Sequence, residues 1–228
     1  MNNLKARKQL LSVVISHILA VPAFAAVIGN INCGDTSGLI SAINTANTTP
    51  DADEINLNVN NQANCVYPLT GLDNNTDGAN GLPFITTPIT INSNRSAIRR
   101  QDGSSDFRII YVASTGELTL KQLSVERGAA TGIGLSSNGG GIFNRGKLTL
   151  EDSTVSENTA STYGGGIHNY KSTITLTNST VSGNMANQGS GIYDENSTVT
   201  LTNSMVFSND ANQGGDISNC WQIYHHAY

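Results

Sequence analysis

Two groups of side chains in this sequence have the types and spacing of reactive sites. Adjacent carboxylates occur at Glu151-Asp152 and at Asp194-Glu195. Glycoside cleavage needs two carboxyl groups facing one cleft about 5–10 Å apart, one as acid and the other as base or nucleophile. Stacked strands repeat every ~4.8 Å, so neighbouring copies of a repeat can supply such a pair. The columns argue against it: the position of Asp152 is taken by Asn178 and Asn203 in later copies, and Asp194 stands in a column otherwise made of Asn. The second group is Asp73-Asn74-Asn75-Thr76-Asp77-Gly78. Here Asp73, Asn75 and Asp77 place oxygen ligands at alternate positions, and Gly78 supplies the bend of a calcium loop. The twelfth position is Phe84 where a complete loop has a bidentate Glu, so the competing reading is a polar surface turn. No other metal or cofactor is indicated. Glu126, Arg127 and Lys171 read as solvated turn charges, and His168 and Tyr170 as surface residues.

What must position these residues is a repeated phrase. Gly139-Gly-Gly-Ile142-Phe-Asn144, Gly164-Gly-Gly-Ile167-His-Asn169, Gly189-Ser-Gly-Ile192-Tyr-Asp194 and Gly214-Gly-Asp-Ile217-Ser-Asn219 place an isoleucine every 25 residues. A fixed period in this range marks a solenoid, whose repeats bury their apolar faces only by stacking. Leu120, Leu150, Leu176 and Leu201 form a second apolar column, and Val125, Val155, Val181 and Val206 a third. Two residues before the leucines stand Leu118, Leu148, Ile174 and Val199, the alternation of strands with one buried face. A leucine-rich repeat has a similar period but needs a run of helix formers that these coils lack. The expected fold is therefore all-β, a parallel β-helix of about 25 residues per coil with three short strands in each, right-handed by the usual sense of parallel crossovers.

Polar residues stack as well. Asn144, Asn169, Asp194 and Asn219 follow the isoleucines, and Asn158, Asn184 and Asn209 follow the valines, so both sets are expected to form structural ladders. Thr119, Thr149, Thr175 and Thr200 form an outward column, with Thr177 and Thr202 beginning another that Lys121 and Glu151 interrupt. Flat threonine arrays occur on ice-binding β-helices, but β-propensity alone accounts for outward threonine.

Residues 1–25 have the form of an export signal, with Lys5, Arg7 and Lys8 ahead of an apolar core and Ala23-Phe24-Ala25 as cleavage site. The apolar run falls short of the ~20 residues of a spanning helix. Cleavage after Ala25 leaves nine basic against seventeen acidic residues, a net charge of −8. An acidic surface without a basic cluster argues against nucleic acid and anionic lipid as partners. Residues 26–83 are expected to form an N-terminal cap and loop region. An amphipathic helix carries Leu39, Ile40, Ala42, Ile43 and Ala46, and the alternating strand Glu54 to Val59 follows it. Strands at Phe84 to Ile91 and Arg108 to Val112 read as irregular first coils, so the β-helix is expected over 84–219. The tail 220–228 loses the register and reads as irregular, the mark of a truncated or frame-shifted longer chain. In an exported protein Cys33 and Cys65 can close a disulfide and leave Cys220 as an odd thiol; three unpaired cysteines is the alternative.

The glycine-rich phrases alternate with Val155-Ser-Glu-Asn158, Val181-Ser-Gly-Asn184 and Val206-Phe-Ser-Asn209. Together these resemble the paired GGA[ILV] and FxxN repeats of the chlamydial polymorphic outer membrane proteins and similar exported bacterial β-helix proteins. Gly or Asp stands here where Ala is usual, and Val where Phe is usual. Cys33 followed by Leu39-Ile-Ser-Ala-Ile-Asn-Thr-Ala-Asn47 resembles the Cys and SLREAINAAN-type helix that opens such proteins. The resemblance implies an exported right-handed β-helix, secreted or on the outer surface, often an adhesin-like passenger that binds a host or cell-surface ligand or glycan. It implies no catalytic residue. Because parallel β-helices also host polysaccharide lyases and glycoside hydrolases, a carbohydrate-active enzyme is the alternative.

Overall fold

Alternation sets the coil. In Lys147–Glu151, Leu148 and Leu150 are buried, while Lys147, Thr149 and Glu151 face outward. The computed structural model describes residues 25–218 and 223–226, and they build a parallel β-helix of about seven turns. The expected leader, apart from Ala25, lies outside the described residues, as do Asn219 and Cys220. Leu118, Leu148, Ile174 and Val199 pair in parallel register, as do Leu120, Leu150, Leu176 and Leu201. Ile110, Ile142, Ile167, Ile192 and Ile217 do the same on another face. Each fully buried aliphatic side chain contributes ~1.5–3 kcal/mol relative to exposure, and these columns merge into one continuous core.

Each regular coil contributes to three sheets, of twelve, five and four strands. Its longest run is bent, so that Lys147–Glu151 and Thr154–Ser156 belong to the same sheet on either side of Asp152. Asp152, Asn178 and Asn203, at φ of 49°, 50° and 49°, put a left-handed residue at this bend in successive coils. Glu157, Gly183 and Ser208 do so at the next corner. Asn and Asp adopt this conformation at less cost than most residues. At the third corner stand Gly139, Gly164, Gly189 and Gly214, also at positive φ, and there glycine is obligatory. A Cβ on Gly139 would sit 2.6 Å from the Ile142 carbonyl oxygen.

The first part of the chain is built less regularly. Asp35 caps the helix Thr36–Ala46 by accepting a hydrogen bond from the Gly38 N–H at 2.9 Å, and Leu39, Ala42, Ile43 and Ala46 are buried. Ala26–Ile31 and Asp53–Leu57 pair in parallel with each other, and Asp53–Leu57 with Pro88–Arg100, so the cap is continuous with the long sheet. Cys33 and Cys65 are joined in a disulfide. At the other end Ile223–His226, expected to be irregular, forms a strand parallel to Thr198–Thr202 with Val199 opposite Ile223, 24 residues on. No helix among the described residues is long and apolar enough to cross a membrane.

Candidate functional site

The strands Ile167–Tyr170 and Ile192–Glu195 alternate in the five-stranded sheet. Ile167, Asn169, Ile192 and Asp194 point into the coil, and His168, Tyr170, Tyr193 and Glu195 point out. With Tyr111 and Phe143 in register, the outward positions make an aromatic column. Tyr111 and Phe143 meet edge to face at 5.2 Å between centroids, Phe143 and His168 lie 4.9 Å apart, and His168 and Tyr193 5.3 Å apart. Such contacts add ~0.5–1.5 kcal/mol beyond area burial. The long loop before Gly139 folds over the column through a 3₁₀ turn, Gly134–Ser137. Arg108 lies beneath it, wholly buried, with its guanidinium 5.0 Å from the Phe143 ring centre and one Nη donating to the Leu135 carbonyl at 2.6 Å. Burial lowers its pKa to about 10, so it remains a cation at neutral pH.

His168 was expected on the surface and is in fact 1% exposed. Alternation does turn it outward, but Tyr163 and the 134–138 segment cover it. Burial, reinforced by the Arg108 cation, holds its pKa at about 3. The Glu195 carboxylate, 3.7 Å from Nε2, favours the charged ring, but at one-third exposure it does not offset the burial. The imidazole is therefore neutral near pH 7. Tyr163 stacks on Tyr193 at 4.3 Å, and Tyr170 meets His168 edge-on at 6.2 Å, with Arg145 and Lys171 against its ring. Tyr163, His168 and Tyr170, with Thr162, Glu195 and the Gly134, Leu135, Ser137 and Asn138 stretch, line a recess of about 460 Å³.

The ladder residues lie on the inner side of the corners. Asn144 donates to Asn169 Oδ1 at 2.7 Å, and Asn169 to Asp194 Oδ1 at 2.6 Å. In the second ladder Asn158 Nδ2 and N–H both donate to Asn184 Oδ1 at 3.0 Å, and Asn184 makes the same pair of bonds to Asn209 Oδ1. Asp216 Oδ1 accepts from Asn209 in turn. Each Asn of this ladder also donates to a carbonyl of the preceding coil: Val125, Val155 and Val181. Such in-register amides satisfy backbone groups that would otherwise be buried without partners. Serines form a further ladder. Ser153, Ser179 and Ser204 each accept, through Oγ, a backbone N–H of the preceding coil.

Of the paired acids, Asp194 and Glu195 do not share a cleft. Asp194 is in the ladder and Glu195 on the recess, on opposite faces of one strand. Glu151 is held by Lys121 at 3.0 Å; with Asp152 it borders a separate polar groove that includes Asn56, Asn92, Asn94 and Gln122. In the calcium-like loop, Asp77 Oδ2 accepts from the Tyr111 hydroxyl at 3.1 Å. Asn80 ties the loop, donating to Asn74 Oδ1 at 2.9 Å and to the carbonyls of Thr76 and Gly78. No group of three His, Cys, Asp or Glu side chains gathers around a metal position among the described residues. The turn charges are partly engaged: Glu126 pairs with Arg99, and Arg127 bridges Asp102 and Glu157. Thr90 extends the threonine column in register to Thr90, Thr119, Thr149, Thr175 and Thr200, on a different sheet from the recess.

Sequence reasoning missed the aromatic column and Arg108. The column had a visible signal, since the residues after Ile110, Ile142, Ile167 and Ile192 are Tyr111, Phe143, His168 and Tyr193. Arg108 occurs once and had none. Compared with protein-family models, curated proteins and solved structures, the chain matches none, and what stands of its kinship is the parallel β-helix repeat itself.

Proposed function

We propose that this chain is an exported, non-enzymatic β-helix that binds a ligand at a cell or host surface, an adhesin-like passenger of the kind its repeats resemble. The observation that carries this reading is the outward recess over the aromatic column, a concave site with aromatic walls and a few convergent polar groups. The disulfide between Cys33 and Cys65 supports export, since such bonds persist in oxidising compartments. The split of Asp194 from Glu195 supports binding over hydrolysis. Cell fractionation tests the location: the protein is expected outside the cytoplasm, without residues 1–25, and retention in the cytoplasm would overturn export. Adhesion of the purified chain to glycan-bearing surfaces tests the binding role.

The polar groove beside Lys121 favours a second reading, a carbohydrate-active enzyme, because two carboxylates, Glu151 and Asp152, border it. Release of reducing or unsaturated sugar by the purified protein, abolished by Glu151→Gln or Asp152→Asn, would establish that reading in place of the first.

A further inference from the structure

The recess over His168 has a property that a packing column does not require. Neither imidazole nitrogen has a hydrogen-bond partner, although the ring is buried. A neutral imidazole carries one N–H donor and one acceptor. His168 and Glu195 both line the recess, and Nε2 and the Glu195 carboxylate stand 3.7 Å apart, too far for a direct hydrogen bond. A hydroxyl that enters between them as the partly exposed Glu195 side chain swings outward accepts from the imidazole N–H and donates to the carboxylate, completing both. Tyr163, held in place by its stack on Tyr193, and Tyr170 supply aromatic surface beside that position. Adjacent hydroxyls on an apolar C–H face are the chemistry of a sugar ring. The carboxylate on the rim and the acidic balance of the chain oppose an anionic sugar.

We propose that the recess binds one residue of a neutral glycan, with a hydroxyl bridging His168 and Glu195 and the ring packed against Tyr163 and Tyr170. This rests on the binding reading above and names its ligand class. Arg108 lies deeper, beneath the 134–138 segment, and orders the floor without reaching the sugar.

The test titrates the intact protein with methyl glycosides of glucose, galactose and N-acetylglucosamine and with their neutral disaccharides. Galacturonic acid is the anionic control, and heteronuclear NMR follows the His168 ring. The expected result is saturable binding of at least one neutral sugar that shifts the His168 ring resonances, with affinity reduced tenfold or more in both Tyr163→Ala and Glu195→Gln. Circular dichroism establishes that each variant is folded, and Glu195→Gln, on a partly exposed side chain, carries the test if Tyr163→Ala does not fold. Binding that is unchanged in Glu195→Gln, binding of the anionic sugar alone, or no binding overturns the proposal. If the sugars fail while the whole protein still adheres to surfaces, the recess proposal falls alone; loss of adhesion removes the binding reading with it.

Discussion

The regular coils after Gly139 and the first part of the chain solve one problem by opposite means. Both must satisfy the backbone at corners and hold successive coils in register. The later coils do so with the same residue at the same place each time, Asn158, Asn184 and Asn209 at one corner and Ser153, Ser179 and Ser204 at another. The first part has a short surface ladder, Asn92 to Asn56 to Asn30, but its corners and junctions rest on devices that occur once. Tyr67 donates its hydroxyl to the Ile31 carbonyl at 3.1 Å and accepts the Asn58 N–H at 2.7 Å. Asn47 donates to the Phe84 carbonyl and accepts the Thr86 N–H. The disulfide closes the same region. The difference teaches that periodic ladders spread a load over several coils, whereas single devices each hold one junction.

That contrast can be broken or sharpened by experiment. The largest effect is expected in the ladder: Asn184→Ala leaves the Asn158 N–H and the Val155 carbonyl without their partner, and two buried groups so stranded cost about 4 kcal/mol. Urea unfolding measures the loss, and hydrogen exchange should show protection falling in the coils on both sides. Exchange confined to the altered coil would contradict the shared load. Replacing Cys33 and Cys65 together by Ala is expected to cost ~3–4 kcal/mol through chain entropy, with exchange rising in the cap while the coils after Gly139 keep their protection.

His168 sets the next effect. Its folded pKa of about 3 lies below the ~6.5 of an unfolded His, so between these values the unfolded chain binds more protons. Its contribution to stability is therefore whole above about pH 6.5 and is lost as pH falls, by about 2 kcal/mol between pH 7 and pH 5. His168→Phe, which continues the aromatic column, should remove that slope; denaturation midpoints that fall equally in both proteins would show that the burial does not act this way. Asn47→Ala is expected to cost about 1–2 kcal/mol, with the strain confined to the junction of the helix with Phe84 and Thr86. Smallest is the response of the Asp73 to Asp77 loop. Because Asn80 already ties it, millimolar calcium should move Tm by less than about 1 °C, and a larger rise would make Asp73, Asn75 and Asp77 cation ligands.

The regular coils were legible because a core residue that recurs every 25 positions is a signal the eye can align, and the Ile, Leu and Val columns pair in that register. The left-handed corners were half legible. Gly139 and its equivalents stand out, but Glu157 and Ser208 occupy the same conformation with residues that announce nothing. The recess was least legible. Alternation alone turns His168 outward, and only a loop of different length, folded back over that one coil, makes it a buried ring. Tyr67, Asn47 and Arg108 make long-range contacts that occur once, so no spacing in the sequence betrays them.

The two asparagine ladders also have a direction. In the side-chain to side-chain bonds each amide donates toward the later coil, Asn144 to Asn169 to Asp194, and Asn158 to Asn184 to Asn209 to Asp216. Aligned amide dipoles in a poorly screened interior polarise one another and add, leaving partial positive charge at the leading end. Asn169 in the first ladder and Asn209 in the second each donate to a carboxylate, which accepts and donates nothing when ionised. The Asp216 carboxylate thus receives the positive end of the chain that runs from Asn158 through Asn184 to Asn209. An extra coil grafted after Asp216 could not continue this wire, whereas one inserted between Asn158 and Asn184 would lengthen it by one dipole.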